Sequence, residues 1–307
     1  MILCMAAGRK FIDRWLPANT MEVLWLIVAA RLLLPPDIGI AVAGRFCTGF
    51  FTGSVPVGLG QVRWAGFGIL LLLTAGSYAR FYRGLRDRKA MDQACIKGWR
   101  QKYFHGQGCP AYQSRSVASP LAYGLFCPSI VLPEQEYSDV ELEMILLHEW
   151  MHIHRGDLWK KAFMMAALLL NWYNPACWLM AALFTREIEL GCDAGALFRL
   201  PEGQRAAYAG VLLDSYSKMN RHAATAAGWL DGGLQERIYK IMKQKKISNK
   251  AKGCALVIAC LFFFAAFAKN DVHKEVPDLT GRTEQEAKEV LKGHHLGYSM
   301  AYGESAY

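Results

Sequence analysis

No two of the nine cysteines are spaced C-x-x-C. They fall singly at positions 4, 47, 95, 109, 127, 177, 192, 254 and 260, which argues against both a disulfide framework and a cysteine zinc site and fits reduced thiols. Charge is scarce as well, at 20% of residues against 53% hydrophobic, with a mean hydropathy of +0.12. That is high for a soluble domain and low for a pure transporter, so the 307 residues are expected to place a few membrane spans around a soluble body. No signature of RNA or DNA recognition accompanies the net charge of +9, so no direct nucleic-acid partner is expected. Lysine and arginine held at a cytoplasmic membrane face explain the excess more simply. A convincing signal peptide is missing too: the apolar residues 1–8 precede Arg9, Lys10 and Arg14, the reverse of secretory order. They read as the tail of a span that begins upstream.

What is present begins with three apolar stretches. Residues 19–34 are short for a bilayer core of about 30 Å and stop at Pro35-Pro36, with Glu22 and Arg31 placed near the ends to snorkel. Residues 64–82 form the clearest span, and residues 253–269 the last one. The glycine- and proline-rich residues 35–63 read as an outer loop. Arg80, Arg83, Arg86, Arg88 and Lys89 follow the second span, and a lysine-rich stretch from Lys240 to Lys252 precedes the third. Both clusters place residues 83–252 inside the cell and the C-terminus outside.

The polar centre of the chain is His148-Glu149-Trp150-Met151-His152, an H-E-x-x-H pattern. Ser138-Asp139-Val140-Glu141 reads as a capping box ahead of it, and Val140, Met144, Leu147 and Met151 recur at helical spacing. On such a helix both imidazoles reach one ion, while Glu149 is placed to reach a water on that ion. Two surface histidines four apart have the same spacing, so a third ligand decides the matter. Residues 116–133, broken by Pro120, Gly124 and Pro128, read as short strands whose edge suits an extended peptide. Residues 159–172 and 176–200 read as two helices separated by Asn174-Pro175, apposed to the membrane rather than crossing it. The second carries Glu189 and Asp193, four apart on one face. Glu189 is the candidate third ligand, Asp193 a hydrogen-bond acceptor behind a ligand histidine, and Glu187 points to solvent or an arginine.

Four motifs occur in one order: Gly-Leu-Phe-x-Pro-x-Ile-x-Leu-Pro at 124–133, His148-Glu-x-x-His152-x-x-Arg155-x-Asp157, Trp172-Tyr-Asn174-Pro175, and Arg186-Glu-x-Glu189-x-x-Cys192-Asp193. Together they resemble the BlaR/MecR-type integral-membrane regulatory metallopeptidases, a gluzincin family, over roughly residues 20–270. The resemblance implies zinc on His148, His152 and Glu189, with Glu149 as general base; Asp193 and Asp157 are expected to support the ligands. It also implies sensing outside the cell and proteolysis inside, often of a transcriptional repressor. Val276-Pro277-Asp278-Leu279-Thr280-Gly281, continuing through Ala287 and Leu291, resembles the first half of a PASTA domain, a wall-binding module. Typical family members carry a penicillin-binding-like sensor there instead, and no S-x-x-K nucleophile motif occurs in this tail.

The expected fold is mainly α: a multi-span helical membrane protein with a cytoplasmic gluzincin-type α+β zinc peptidase domain. Its divisions are an N-terminal membrane region at 1–82, the peptidase domain at 83–252, a span at 253–269 and an extracellular PASTA-like tail at 270–307. The expected activity is zinc endopeptidase cleavage of the protein itself or of a cytoplasmic repressor, with lipid and an outer cell-wall ligand as further partners. Self-association into a homo-oligomer is compatible with this reading. The rival is a membrane receptor whose zinc core only relays the signal, though it gives no reason for an intact Glu149.

Overall fold

The structure is a computed structural model, described here for residues 2–15, 17, 19–34, 40–41, 60–91, 96–99, 101, 109–201, 203–220, 227–243, 249–269 and 284–293. Helix α4 (Asp139–His154) carries the H-E-x-x-H pattern. Ser138 caps it, accepting from the Glu141 backbone N–H at 3.2 Å, and Asp139 and Glu141 place negative charge at the positive end of the helix dipole. Arg155 closes the helix, and Gly156 just beyond it has a φ of 68°, a left-handed turn that favours glycine. That turn starts helix α5 (Asp157–Leu170) immediately, which brings its first residue, Asp157, beneath the end of α4.

The Trp172-Tyr173-Asn174-Pro175 motif joins α5 to helix α6 (Pro175–Arg199). The Asn174 side chain caps α6 by accepting from the Ala176 N–H at 3.0 Å, and Pro175 occupies the first turn, where its missing donor costs nothing. The Trp172 indole N–H donates to the Arg63 carbonyl at 3.1 Å, docking the turn against helix α3 (Gly60–Gly84). Helix α6 runs through two hydrophobic cores. Cys177, Met180, Phe184 and Ile188 pack with Met21, Leu24, Trp25 and Val28 of helix α2 (Asn19–Leu33), and with Ile2 and Met5 of helix α1 (Ile2–Trp15). Cys192, Ala196 and Leu197 pack instead with Leu146, Leu147 and Trp150 of α4 and with the sheet. Glu189 sits at the crossing between them.

One four-stranded sheet supports the second core. It comprises β2 (Lys89–Ala90), β3 (Ala111–Ser114), β4 (Leu121–Tyr123) and β5 (Ser129–Pro133), in the order β2-β3-β5-β4. Only the β3–β5 pair is parallel. Ile130, Val131 and Leu132 of β5 are all fully buried, facing cores on both sides of the sheet. Strand β4 is an edge and lies beside α4. Helices α7 (Arg205–Asn220) and α8 (Ala227–Lys243) close the same core with Tyr208 and Ile241.

Among the described residues, one helix is long and apolar enough to cross a membrane, Gln61–Asp87. Its apolar surface is open, with Leu72 74% exposed. The expected spans 19–34 and 253–269 form helices α2 and α9 (Asn249–Phe267), both shorter, so multiple passes are not established. Strands β1 (Ile40–Ala41) and β6 (Ala268–Lys269) pair in parallel. Most of the outer loop lies outside the described residues, as does the PASTA-like tail apart from helix α10 (Glu284–Gly293). One expectation is corrected: Glu22 does not snorkel. It is 3% exposed because Arg155 and Lys160 reach it inside the protein.

Candidate metal centre

The two histidines of α4 turn their Nε2 atoms toward Glu189 of α6. His148 Nε2 lies 3.5 Å from Glu189 Oε2, and His152 Nε2 lies 3.6 Å from Oε1. A tetrahedral zinc with bonds near 2.0–2.1 Å needs ligands about 3.3 Å apart, so the three donors are spaced to hold such an ion. All three donor atoms fall within 4.8 Å of one another.

The other ring nitrogens are fixed from behind. His148 Nδ1 donates to the Tyr208 hydroxyl at 2.8 Å, which donates in turn to Asp193 Oδ1 at 2.9 Å. Asp193 is gripped by the Arg237 guanidinium at 2.7 and 2.9 Å. His152 Nδ1 donates to Asp157 Oδ2 at 3.0 Å. With both Nδ1 atoms donating, each neutral ring keeps its Nε2 lone pair for an ion, so the donor set fits a metal.

In the metal-free protein the surrounding carboxylates favour protonated rings, so an ion displaces a proton from each. Burial opposes charge on His148, but its bonds to Asp193 and Glu189 prevail and raise its pKa to about 9. His152 is raised likewise, against burial, by Asp157 and Glu189. Burial works against the Glu189 carboxylate too, yet the two histidines hold it well below the usual range. His152, Asp157 and Cys192 also converge. Burial, then Asp157, raises the Cys192 thiol, so it stays protonated and donates to Asp157 at 3.1 Å. That trio is a support for His152 rather than a second ion site.

A cavity of about 390 Å³ opens onto the three donors and is lined also by Glu149, Lys161, Tyr208 and Arg237. Thus every sequence-predicted residue is at the site: His148, His152 and Glu189 in front, Glu149 on the cavity wall, Asp193 and Asp157 behind. Glu187 is fully buried against Arg9 of α1, the arginine alternative of its sequence reading. Tyr208, Arg237, Lys160 and Glu22 join the site without any sequence motif that marks them.

An H-E-x-x-H helix meeting a glutamate on a downstream helix is the site of a metallopeptidase-type protein. The chain belongs to the BlaR1 peptidase M56 family, whose model matches residues 48–241, more than half of its length. It is 29% identical over 117 residues to the regulatory protein BlaR1 of Bacillus licheniformis, covering 38% of this chain and 20% of that one. It is 26% identical over 156 residues to the methicillin resistance mecR1 proteins of Staphylococcus aureus and Staphylococcus epidermidis, covering 48% of this chain and 27% of each. The matched part is therefore a minor share of those longer relatives.

Proposed function

We propose that this chain is a membrane-inserted zinc endopeptidase that converts an outside signal into proteolysis inside the cell. One observation carries the reading: two Nε2 atoms and one carboxylate converge at ligand spacing beside Glu149 on the cavity wall. His148, His152 and Glu189 hold the ion, and Asp193 and Asp157 orient the two rings. When bound, zinc supplies Lewis acidity, polarising a carbonyl and making water acidic near neutral pH. Glu149 accepts the proton of the attacking water and returns it to the leaving amine. Edge strand β4 offers unpaired backbone groups to an extended peptide, since Leu121 and Ala122 line the same cavity. Met144, Ile145, Val211 and Leu212 favour an apolar side chain on that peptide.

The substrate proposed is the protein itself or a cytoplasmic repressor, in keeping with relatives named as regulatory and resistance proteins. The arginines closing α3 support a cytoplasmic active site, and the β1–β6 pairing supports one shared outer side for the loop and the C-terminal tail. The extracellular, PASTA-like tail is the proposed place for a cell-wall ligand.

Glu149→Gln tests the enzyme reading in the native host with the stimulus supplied. The variant is expected to fold and keep its zinc while cleavage of itself and of its cytoplasmic partner falls about 10²–10⁴-fold. Unchanged signalling in Glu149→Gln would make the core a relay and not an enzyme.

A further inference from the structure

Glu22 lies in α2, outside the residues matched by the family model, and among the apolar Met21, Leu24, Trp25 and Val28. A carboxylate buried there is strongly disfavoured unless it is paired, because it gives up its hydration. It is paired twice, to the Arg155 guanidinium and to Lys160 Nζ at 2.5 Å. The same two cations bind Asp157: Arg155 Nε at 3.3 Å and Lys160 Nζ at 2.9 Å. Arg155 also donates to the Asn19 side chain at 3.0 Å, a second tie to α2. Two carboxylates and two cations thus form a closed, charge-balanced square, and one corner of it, Asp157, receives the His152 hydrogen bond at 3.0 Å.

From this geometry we infer that Glu22 is a positioning residue of the metal centre, through which helix α2 sets how tightly His152 holds its ion. The inference rests on the ligand reading above. Its physical basis is competition for one carboxylate. With Glu22 present, each cation is shared between two anions, and Asp157 retains negative charge for His152. Without Glu22, both cations converge on Asp157, its oxygens become poorer acceptors, and His152 becomes a less basic ligand. Gly191 of α6 shows how closely this square is built. A Cβ there would lie 2.4 Å from an Arg155 guanidinium nitrogen, so any larger residue requires the guanidinium to shift from its place between α6 and α2.

The test measures zinc affinity of the full chain in detergent by competition with a chromophoric chelator. Partners behind a ligand histidine typically change metal affinity about 10–100-fold when removed. Glu22→Gln acts one step further out and is expected to weaken zinc about tenfold, the low end of that range. Adding Lys160→Gln restores the balance of charge, so the double variant is expected to recover most of the affinity. A residue that merely anchors α2 gives the opposite result, because losing a second ion pair cannot repair a lost anchor. Wild-type affinity in Glu22→Gln, or a double variant weaker than the single, overturns the inference. If Glu22→Gln does not accumulate, Glu22→Asp replaces it. That variant keeps the charge, so affinity close to wild type is expected, and a loss of about tenfold or more in it, the mark of an anchor and not of a charge, overturns the inference. Absence of zinc from the wild-type chain is a separate outcome that removes the ligand reading itself.

Discussion

His148 and His152 present the same nitrogen to the same glutamate, yet they are held by different parts of the molecule. Behind His148 stand Tyr208, Asp193 and Arg237, on α7, α6 and α8, against the core shared with the sheet. Behind His152 stand Asp157, Arg155 and Lys160, and beyond them Glu22 of α2, beside the core made by the N-terminal helices. The first arm has one arginine, shared between Asp193 and Glu189, whereas the second has two cations shared between Asp157 and Glu22. The metal centre thus straddles two packed bodies, and α6 carries Glu189 where they meet. By the inference above, α2 bears on His152 through Asp157, whereas the described support of His148 has no member on α2.

The sharpest break in this comparison is expected from the cations. Arg237→Gln leaves the nearly buried Asp193 without the guanidinium that grips it, and breaking such a pair costs about 3–5 kcal/mol. Lys160→Gln leaves both Asp157 and Glu22 paired to Arg155, and Lys160 is itself one quarter exposed, so its cost is expected to be smaller, about 1 kcal/mol, the upper end for a surface pair. Chemical denaturation of the two variants in detergent checks the order. Equal losses would mean that the two arms are built alike.

Gly191→Ala probes the second arm alone. Its Cβ displaces the Arg155 guanidinium from the space it needs, and zinc affinity is expected to fall about tenfold while the Tyr208–Asp193–Arg237 arm is untouched. Chelator competition reads the result, and normal affinity would show that Arg155 has another route.

A further effect is one of pH on the metal-free protein. The pKa of His148 is raised from 6.5 to about 9 in the fold. Its protonated form therefore adds stability that is complete below about 6.5 and lost as pH rises through about 9. His152, also raised, acts with the same sign. The Tm of metal-free protein is expected to fall across that interval. Zinc-loaded protein should lack the fall, since its Nε2 atoms are no longer open to protons.

The front of the site is legible in the sequence, and little of its back is. His148, His152 and Glu189 announce themselves by helical spacing, and Ser138 and Asn174-Pro175 mark helix starts by local chemistry. Asp193 follows from sharing a face with Glu189. Tyr208 and Arg237 carry no local signal, because only tertiary packing brings α7 and α8 to the site. Glu22 escapes a sequence reading for a similar reason: a sequence shows that a carboxylate interrupts an apolar run, not which cations come to meet it. One clue is a local excess of cations, since Arg155, Lys160 and Lys161 surround a single Asp157.

The central claim is that His148, His152 and Glu189 together hold one zinc ion where the two cores meet. Elemental analysis of purified full-length protein and four variants tests it most directly. The account predicts one zinc per chain in wild type and in Glu149→Gln, and loss or strong weakening of it in His148→Ala, His152→Ala and Glu189→Ala. Full zinc in Glu189→Ala, or loss of zinc in Glu149→Gln, would contradict it.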